Sequence, residues 1–378
     1  MTADTTHERD HCVSQPTAES PLGRQHSITL VIPGRNCHKT LERCLASVVP
    51  LKESGELLEI IFVDDGSTDA TAEIANRYPV TVLAGTGQGP GAARNLGWRS
   101  TQSELVWFID SDCVAEPKAL ENLVCHLKDA DVAGAGGSYA NLFPNSLIAS
   151  LIHEEIVSRH LRMRENVDFL ATFNVLYRRS VLNATNGFNE KLKLAQDAEF
   201  AYRVRDHGYR LRFEMLSRVG HHHPRSLWRY LKTQARQGFY RVMLYRAHPS
   251  KASGDSYAGI LDFLPPILGA LIGAITPFAL IADSRLGFIL FVLGLLLVAL
   301  QIPITIKLVR QSGTSMLNFL WLGSLRAVAR GMGLAWGAGY VLIDTLFGQK
   351  RVSTTSQPSP EPSPRSTPES NGCSSTVE

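Results

Sequence analysis

The sequence predicts an α/β fold with a mostly parallel sheet and helices on both faces, followed by a C-terminal helical membrane region. Three observations predict it. Four short, β-branched apolar runs alternate with helical periods between Ser27 and about Arg246, the pattern of a doubly wound sheet. Paired acidic residues stand directly after two of these runs. Beyond Tyr257, two apolar segments are long enough to cross a bilayer.

The first run is Ile28-Thr-Leu-Val-Ile-Pro33, continuous in the manner of a strand buried on both faces. Asn36 is placed to cap a helix whose apolar face is Leu41, Leu45 and Val48. The second run, Leu58 to Val63, ends in Asp64-Asp65-Gly66-Ser67-Thr68-Asp69, where Ser67 or Thr68 is expected to cap the next helix. Val80 to Leu83 and Leu105 to Ile109 are the third and fourth runs. From Arg203 to Arg246 the chain is dense in arginine. Within that stretch Leu227, Trp228, Leu231, Ala235, Phe239, Val242 and Met243 recur at helical spacing, which predicts a basic amphipathic helix lying in a membrane interface.

The expected membrane spans cover about 261–282 and 286–308, and a third hydrophobic segment, about 331–347, is left open between spanning and interfacial. Lys307 and Arg310 follow the second span, whereas only Asp283 and Arg285 lie between the two. That bias puts the large domain inside. The polar first 25 residues hold no apolar stretch, in line with a cytoplasmic catalytic portion on an inner or plasma membrane. The expected organisation is a disordered tail over 1–26, an α/β domain over 27–225, the basic helix and linker over 226–256, the membrane region over 257–348 and a second disordered tail over 349–378.

A net charge of +3 over 378 residues suggests no nucleic-acid partner. The 6 cysteines are scattered and form no C-x-x-C pair, which argues against a zinc or disulfide framework and for free cytoplasmic thiols.

In an open sheet, ligands bind beyond the carboxyl ends of the strands. Both acidic clusters, Asp64-Asp65 and Asp110-Ser111-Asp112, fall at such ends. Asp110 and Asp112 can converge on one hard cation, Mg²⁺ or Mn²⁺, that bridges to phosphates. Gly87-Gln-Gly-Pro-Gly91-Ala-Ala-Arg94-Asn95-Leu-Gly97 is a glycine-rich loop entering a helix, able to bring backbone N–H groups to an anion. It is not a P-loop, and no G-x-G-x-x-G follows the first strand, so phosphate-loop ATPases and dinucleotide oxidoreductases are disfavoured.

In order and spacing these motifs resemble the family-2 inverting glycosyltransferases of the Rossmann-like GT-A fold. The resemblance rests on Ile28 to Pro33 with Asn36, on Val63-Asp-Asp-Gly-Ser-Thr-Asp69, on Gly91-Ala-Ala-Arg-Asn95 and on Asp110-Ser-Asp112. It implies a nucleotide-sugar donor, UDP-linked by expectation, with Asp64 or Asp65 at the base. It further implies Asp110 and Asp112 at ribose, diphosphate and metal, and Pro33, Asn36, Gly91, Arg94 and Asn95 along the donor side. Thr172-Phe-Asn174 and Gly187-Phe-Asn-Glu190 resemble the acceptor side of that family. Gln196-Asp197-Ala-Glu199 resembles its E-D motif, with Gln196 where Glu is usual and Asp197 in the place of the catalytic base.

Glu199, Gln234 and Arg236 join Asn174 as acceptor-side candidates. His221, after a predicted edge strand, is a third candidate metal ligand. Gln234-Ala-Arg236-Gln237-Gly238 departs from the Q-x-x-R-W of processive members, which favours transfer of a single sugar to a lipid or glycan acceptor. A nucleotidyltransferase, which usually carries a basic glycine-rich loop after its first strand, and a membrane-tethered sensor without catalysis remain as alternatives.

Overall fold

A computed structural model of the chain describes residues 26–257, 259–279 and 284–347. The tails expected to be disordered fall almost wholly outside the described residues. The chain divides into two compact units, Met1–Ala338 and Gly339–Glu378; the sheet and the cleft described below belong to the first.

β1 (Ile28–Gly34), α1 (Leu41–Glu53), β2 (Glu59–Asp64), α2 (Thr71–Ala75), β3 (Thr81–Ala84), α3 (Pro90–Arg99) and β4 (Leu105–Ile109) alternate as expected. β5 (Cys113–Ala115), α4 (Ala119–Val124), β6 (Val132–Asn141), α5 (Leu147–His160), β7 (Asn166–Val167), β8 (Asn174–Arg178), α6 (Arg179–Ala184), α7 (Gln196–Asp206) and β9 (Arg210–His221) complete the sheet.

The strand order is β3-β2-β1-β4-β8-β6-β9-β5, with β7 also on β9. β3, β2, β1 and β4 are all parallel. β8 then runs antiparallel to both β4 and β6, so the sheet is mixed beyond β4. Leu30 and Ile32 of β1 face one core with Leu41, Leu45 and Trp107, while Val31 faces another with Ala93, Phe108 and Phe200. Burial on both faces is why these strands read as unbroken apolar runs.

Two expected caps are not made. Asn36 adopts φ 51 and spends its Oδ1 on the Thr68 N–H at 2.8 Å, and Ser67 Oγ accepts the Asn36 N–H at 2.9 Å. The loops after β1 and β2 thus tie to each other, a tertiary pairing that outcompetes local capping. α1 and α2 begin later, after Thr40 and Ala70, without side-chain caps.

Four α-helices follow among the described residues: α8 (Leu227–Ala247), α9 (Leu264–Ala279), α10 (Ser284–Ser312) and α11 (Phe319–Phe347). Arg285–Ser312 is the one helix among the described residues that is long and apolar enough to cross a bilayer, with mean hydropathy 2.6. The first expected span is a shorter helix, and residues 280–282 lie outside the described residues. The third segment is the end of a helix that begins at Phe319.

α8 turns a different face inward from the one its apolar spacing predicts. Tyr230, Gln234, Gly238 and Leu244 are buried, whereas Trp228 is 76% exposed. The reason is close backbone approach: a Cβ on Gly238 would stand 2.1 Å from the Arg330 carbonyl oxygen, and one on Gly333 1.9 Å from that of Ala235. Small residues let α8 and α11 touch along their backbones.

Candidate functional site

The carboxyl ends of β1, β2 and β4 open onto a cleft of about 830 Å³. Asp65, just past β2, is 3% exposed; its Oδ2 accepts the Gly89 N–H at 2.7 Å, and its buried Oδ1 has no partner among the described residues. Gly87 and Gly89 supply φ 73 and 106, conformations open to glycine, and so fold the loop back over that carboxylate.

Arg94, in the first turns of α3 and 3% exposed, donates from Nη2 to Asp110 Oδ1 at 2.6 Å. Its Nε and Nη1 are buried without a partner among the described residues. Buried donors left open at the wall of a cleft fit an anionic ligand.

Asp112 reaches a second group through the far half of the sheet. β5 pairs antiparallel with β9 in the register Cys113↔His221, which sets His221 Nε2 3.5 Å from Asp112 Oδ2. Donor atoms of Asp112, Cys113 and His221 lie within 4.8 Å of one another. Burial pushes the Cys113 thiol up, which leaves the carboxylate and imidazole as the natural ligands for a hard or borderline cation.

β9 is not the expected edge strand. It carries β6 on one side and β5 and β7 on the other, because the three residues after the D-S-D segment form a strand too short to be legible alone. The other histidines do not converge on one point: His222 Nδ1 lies 2.8 Å from the Asp112 carbonyl oxygen. His223, with its pKa pushed down to about 2 mainly by burial, stands between His221 and His153 at 3.1 and 3.3 Å.

Asp197 lines the same cleft from the first turn of α7. The turn is entered through Ala195 in a left-handed conformation, φ 63, a strained setting for a residue with a Cβ. Burial raises the Asp197 carboxyl above the usual carboxylate range, against the pull of the Ala198 N–H, which donates to its Oδ1 at 2.8 Å, and of the nearby Arg94. A carboxylate raised in this way is a stronger proton acceptor than a solvated one.

Of the predicted residues, the cleft gathers Pro33, Asp65, Arg94, Asp110, Asp112, Asp197, Gln234 and Arg236. Others take structural bonds instead. Asp64 Oδ1 accepts the Ser67 N–H at 2.9 Å, and Asn36 ties the loops as described. Asn95 donates to the Phe188 carbonyl and to Glu190, and its Oδ1 receives Trp98 Nε1. Asn174 bonds Trp107 Nε1 and Ser217 inside the sheet. Glu199 pairs with Arg203 at 2.7 Å, and Gly91 packs against the Asn189 carbonyl. Short polar side chains with buried partners in reach satisfy those partners first.

Sequence reasoning missed Arg35, Lys193, Tyr139 and a group of arginines beyond Asp197, all on the cleft wall. The signal for the last was present: Arg326 and Arg330 stand four apart within a largely apolar helix.

Residues 29–185 match the model of glycosyl transferase family 2. The chain is 28% identical over 256 residues to a pre-mycofactocin glycosyltransferase of Mycobacterium tuberculosis, a match covering 65% of this chain and 53% of that protein. It is 26% identical over 227 residues to the glycosyltransferase AglE of Haloferax volcanii, covering 58% and 74%. The chain thus spans about half the length of the mycobacterial relative. Among solved structures, the mannosyltransferase PcManGT from Pyrobaculum calidifontis, in complex with GDP-Man and Mn²⁺, shares the fold at TM-score 0.56 and 18% identity over 82% of this chain and 87% of that one. Residues 29–185 therefore form a family-2 glycosyltransferase domain, on a GT-A fold.

Proposed function

We propose that the protein is a metal-dependent inverting glycosyltransferase that moves one sugar from a nucleotide-sugar onto a hydroxyl of a lipid or membrane-proximal glycan. The observation that carries this reading is the placement of Asp197 in one cleft with Asp65, Arg94, Asp110 and Asp112. One carboxylate is raised for proton transfer, and the opposite wall is built for a nucleoside diphosphate.

In this reading Asp65 and the Gly87–Gly89 loop take the nucleoside, and the open donors of Arg94 face the diphosphate. Asp112 and His221, with Asp110 beside them, fit a divalent cation, Mg²⁺ or Mn²⁺, which when bound neutralises charge on the leaving diphosphate. Asp197 accepts the proton of the acceptor hydroxyl as its oxygen bonds to the anomeric carbon, and the bond from that carbon to the diphosphate breaks. Attack from the side opposite the leaving group inverts the anomeric centre.

The exposed apolar surface of α10, only 17% buried over its most apolar stretch, supports insertion in a membrane, with the α/β domain on the cytoplasmic side of an inner or plasma membrane. α8 and its linker, 226–256, join the α/β domain of 27–225 to that membrane region. A panel of UDP- and GDP-sugars tests the reading. Slow acceptor-independent hydrolysis of one nucleotide-sugar is expected, lost on metal stripping with EDTA and restored by Mn²⁺ or Mg²⁺. Undiminished turnover after thorough stripping overturns the metal assignment of Asp110, Asp112 and His221, and failure to hydrolyse any donor favours a sensor.

A further inference from the structure

We infer that the cleft continues past Asp197 into a subsite for a phosphate ester carried on a long apolar chain, with the hydroxyl-bearing end of that acceptor turned toward Asp197. This inference rests on the glycosyltransferase reading and names its acceptor class.

Residues of α5, α8, the segment after Asp255 and α11 form one stretch of the wall of the cleft that holds Asp197. Three carboxylates reach it, and each already holds a partner. Glu155 Oε1 accepts Arg159 Nε at 2.5 Å and Arg326 Nη1 at 3.0 Å. Asp262 accepts Arg159 Nη2 at 3.1 Å. Asp255 accepts the Tyr202 hydroxyl at 2.6 Å and stands 3.9 Å from Arg241.

Arg330 differs. Its Nη2 donates to the side-chain carbonyls of Gln234 and Gln237, its buried Nε has no partner, and no carboxylate pairs with it among the described residues. With Arg236 also on the wall, five guanidinium groups face three carboxylates.

A cation held out of water without a counter-ion is costly, and an incoming anion relieves that cost. Arg330, the cation left without a carboxylate among the described residues, with the exposed Arg236 near it on the wall, favours a phosphate monoester, which carries roughly −1.5 to −2 at neutral pH. The guanidinium fork suits phosphate oxygens in bidentate geometry.

Apolar residues on this stretch of the wall argue for the chain: Phe263, Pro266 and Leu334 line it. On the same helices, Ile267, Leu271 and Met332 are 53, 50 and 56% exposed. An anion site set beside uncovered apolar helix faces selects an amphiphile over a free phosphate.

The test is binding to the full chain in uncharged detergent, titrated with dodecyl phosphate, dodecanol and inorganic phosphate. Dodecyl phosphate is expected to bind at least about tenfold more tightly than either of the others. Arg330→Gln should weaken it by a similar factor, and Arg330→Lys should recover part of the loss.

Equal affinity for the alcohol overturns the anion subsite, and equal affinity for inorganic phosphate overturns the amphiphile. Unchanged affinity in a folded Arg330→Gln protein overturns the assignment of Arg330. If that variant fails to fold, the three-ligand comparison on the unaltered chain decides. Nucleotide-sugar hydrolysis without dodecyl phosphate binding sinks this inference alone. Dodecyl phosphate binding with no hydrolysis of any donor sinks the transferase reading instead.

Discussion

Asp197 and Asp112 face one cleft, so under the proposed mechanism conservative amides at the two positions separate proton transfer from phosphate handling. Asp197→Asn keeps shape but cannot take the acceptor proton. Transfer is expected to fall by about 10² to 10⁴ with nucleotide binding retained. Asp112→Asn should weaken metal-dependent nucleotide binding along with turnover. Single-turnover transfer and calorimetric nucleotide titration read the two effects, and near-normal transfer by Asp197→Asn would falsify its role as base.

His160 gives a residue-scale prediction about stability. It is 6% exposed, stacked on Tyr139, with Nδ1 2.9 Å from Ser138 Oγ. Burial, with a smaller push from His153, brings its pKa down to about 3. The unfolded imidazole titrates near about 6.5, so between these values the unfolded chain binds a proton that the native chain does not. Stability is therefore lost as pH falls below about 6.5, by about 1.4 kcal/mol per pH unit for this group. His160→Gln, which keeps a donor for Ser138, should flatten the fall in Tm between about pH 6.5 and 4.5. Parallel Tm curves for the two proteins reject this assignment.

At the scale of elements, the strands are the most legible part and the face of α8 the least. β1, β2 and β4 are buried on both sides, so local composition alone announces them. The inward face of α8 depends on Gly238 meeting Arg330 and on Gly333 meeting Ala235. These contacts join residues far apart in the chain and leave no mark in the spacing of apolar side chains. Gly238→Val should force α8 away from α11 and destabilise the chain by about 1–3 kcal/mol, the usual cost of overpacking. A lowered Tm with weakened dodecyl phosphate binding is expected, since Gln234 and Gln237 sit on the same turns as Gly238. An unchanged Tm means that the two helices are not in register there.

At the scale of the molecule, the uncovered apolar surface of α10 underlies the proposed place of the protein in a membrane. Phe288, Phe291 and Leu295 are 68, 62 and 56% exposed, a surface that water does not tolerate over a whole helix. The protein should sediment with membranes and resist carbonate extraction. Release into the supernatant would show that these helices are covered by protein rather than lipid.

The sequence by itself determined the order of strands and helices through β4, the acidic positions at the strand ends and the apolar helix near the C-terminus. Each is a local pattern, set by periodicity or by residues within a few positions of one another. The order and spacing of its motifs also sufficed to point to the family. Tertiary structure alone decided which of those residues share a cleft. The pairing of β5 with β9 brings Asp112 to His221, and the packing of α8 on α11 brings Gln234 to Arg330. Asn95 and Asn174 carry the same side-chain chemistry as a binding residue, but they were drawn into structural bonds by neighbours 93 and 67 positions away. Pairings over such distances depend on register and packing, and a one-dimensional pattern does not encode which of several available partners a polar side chain meets first.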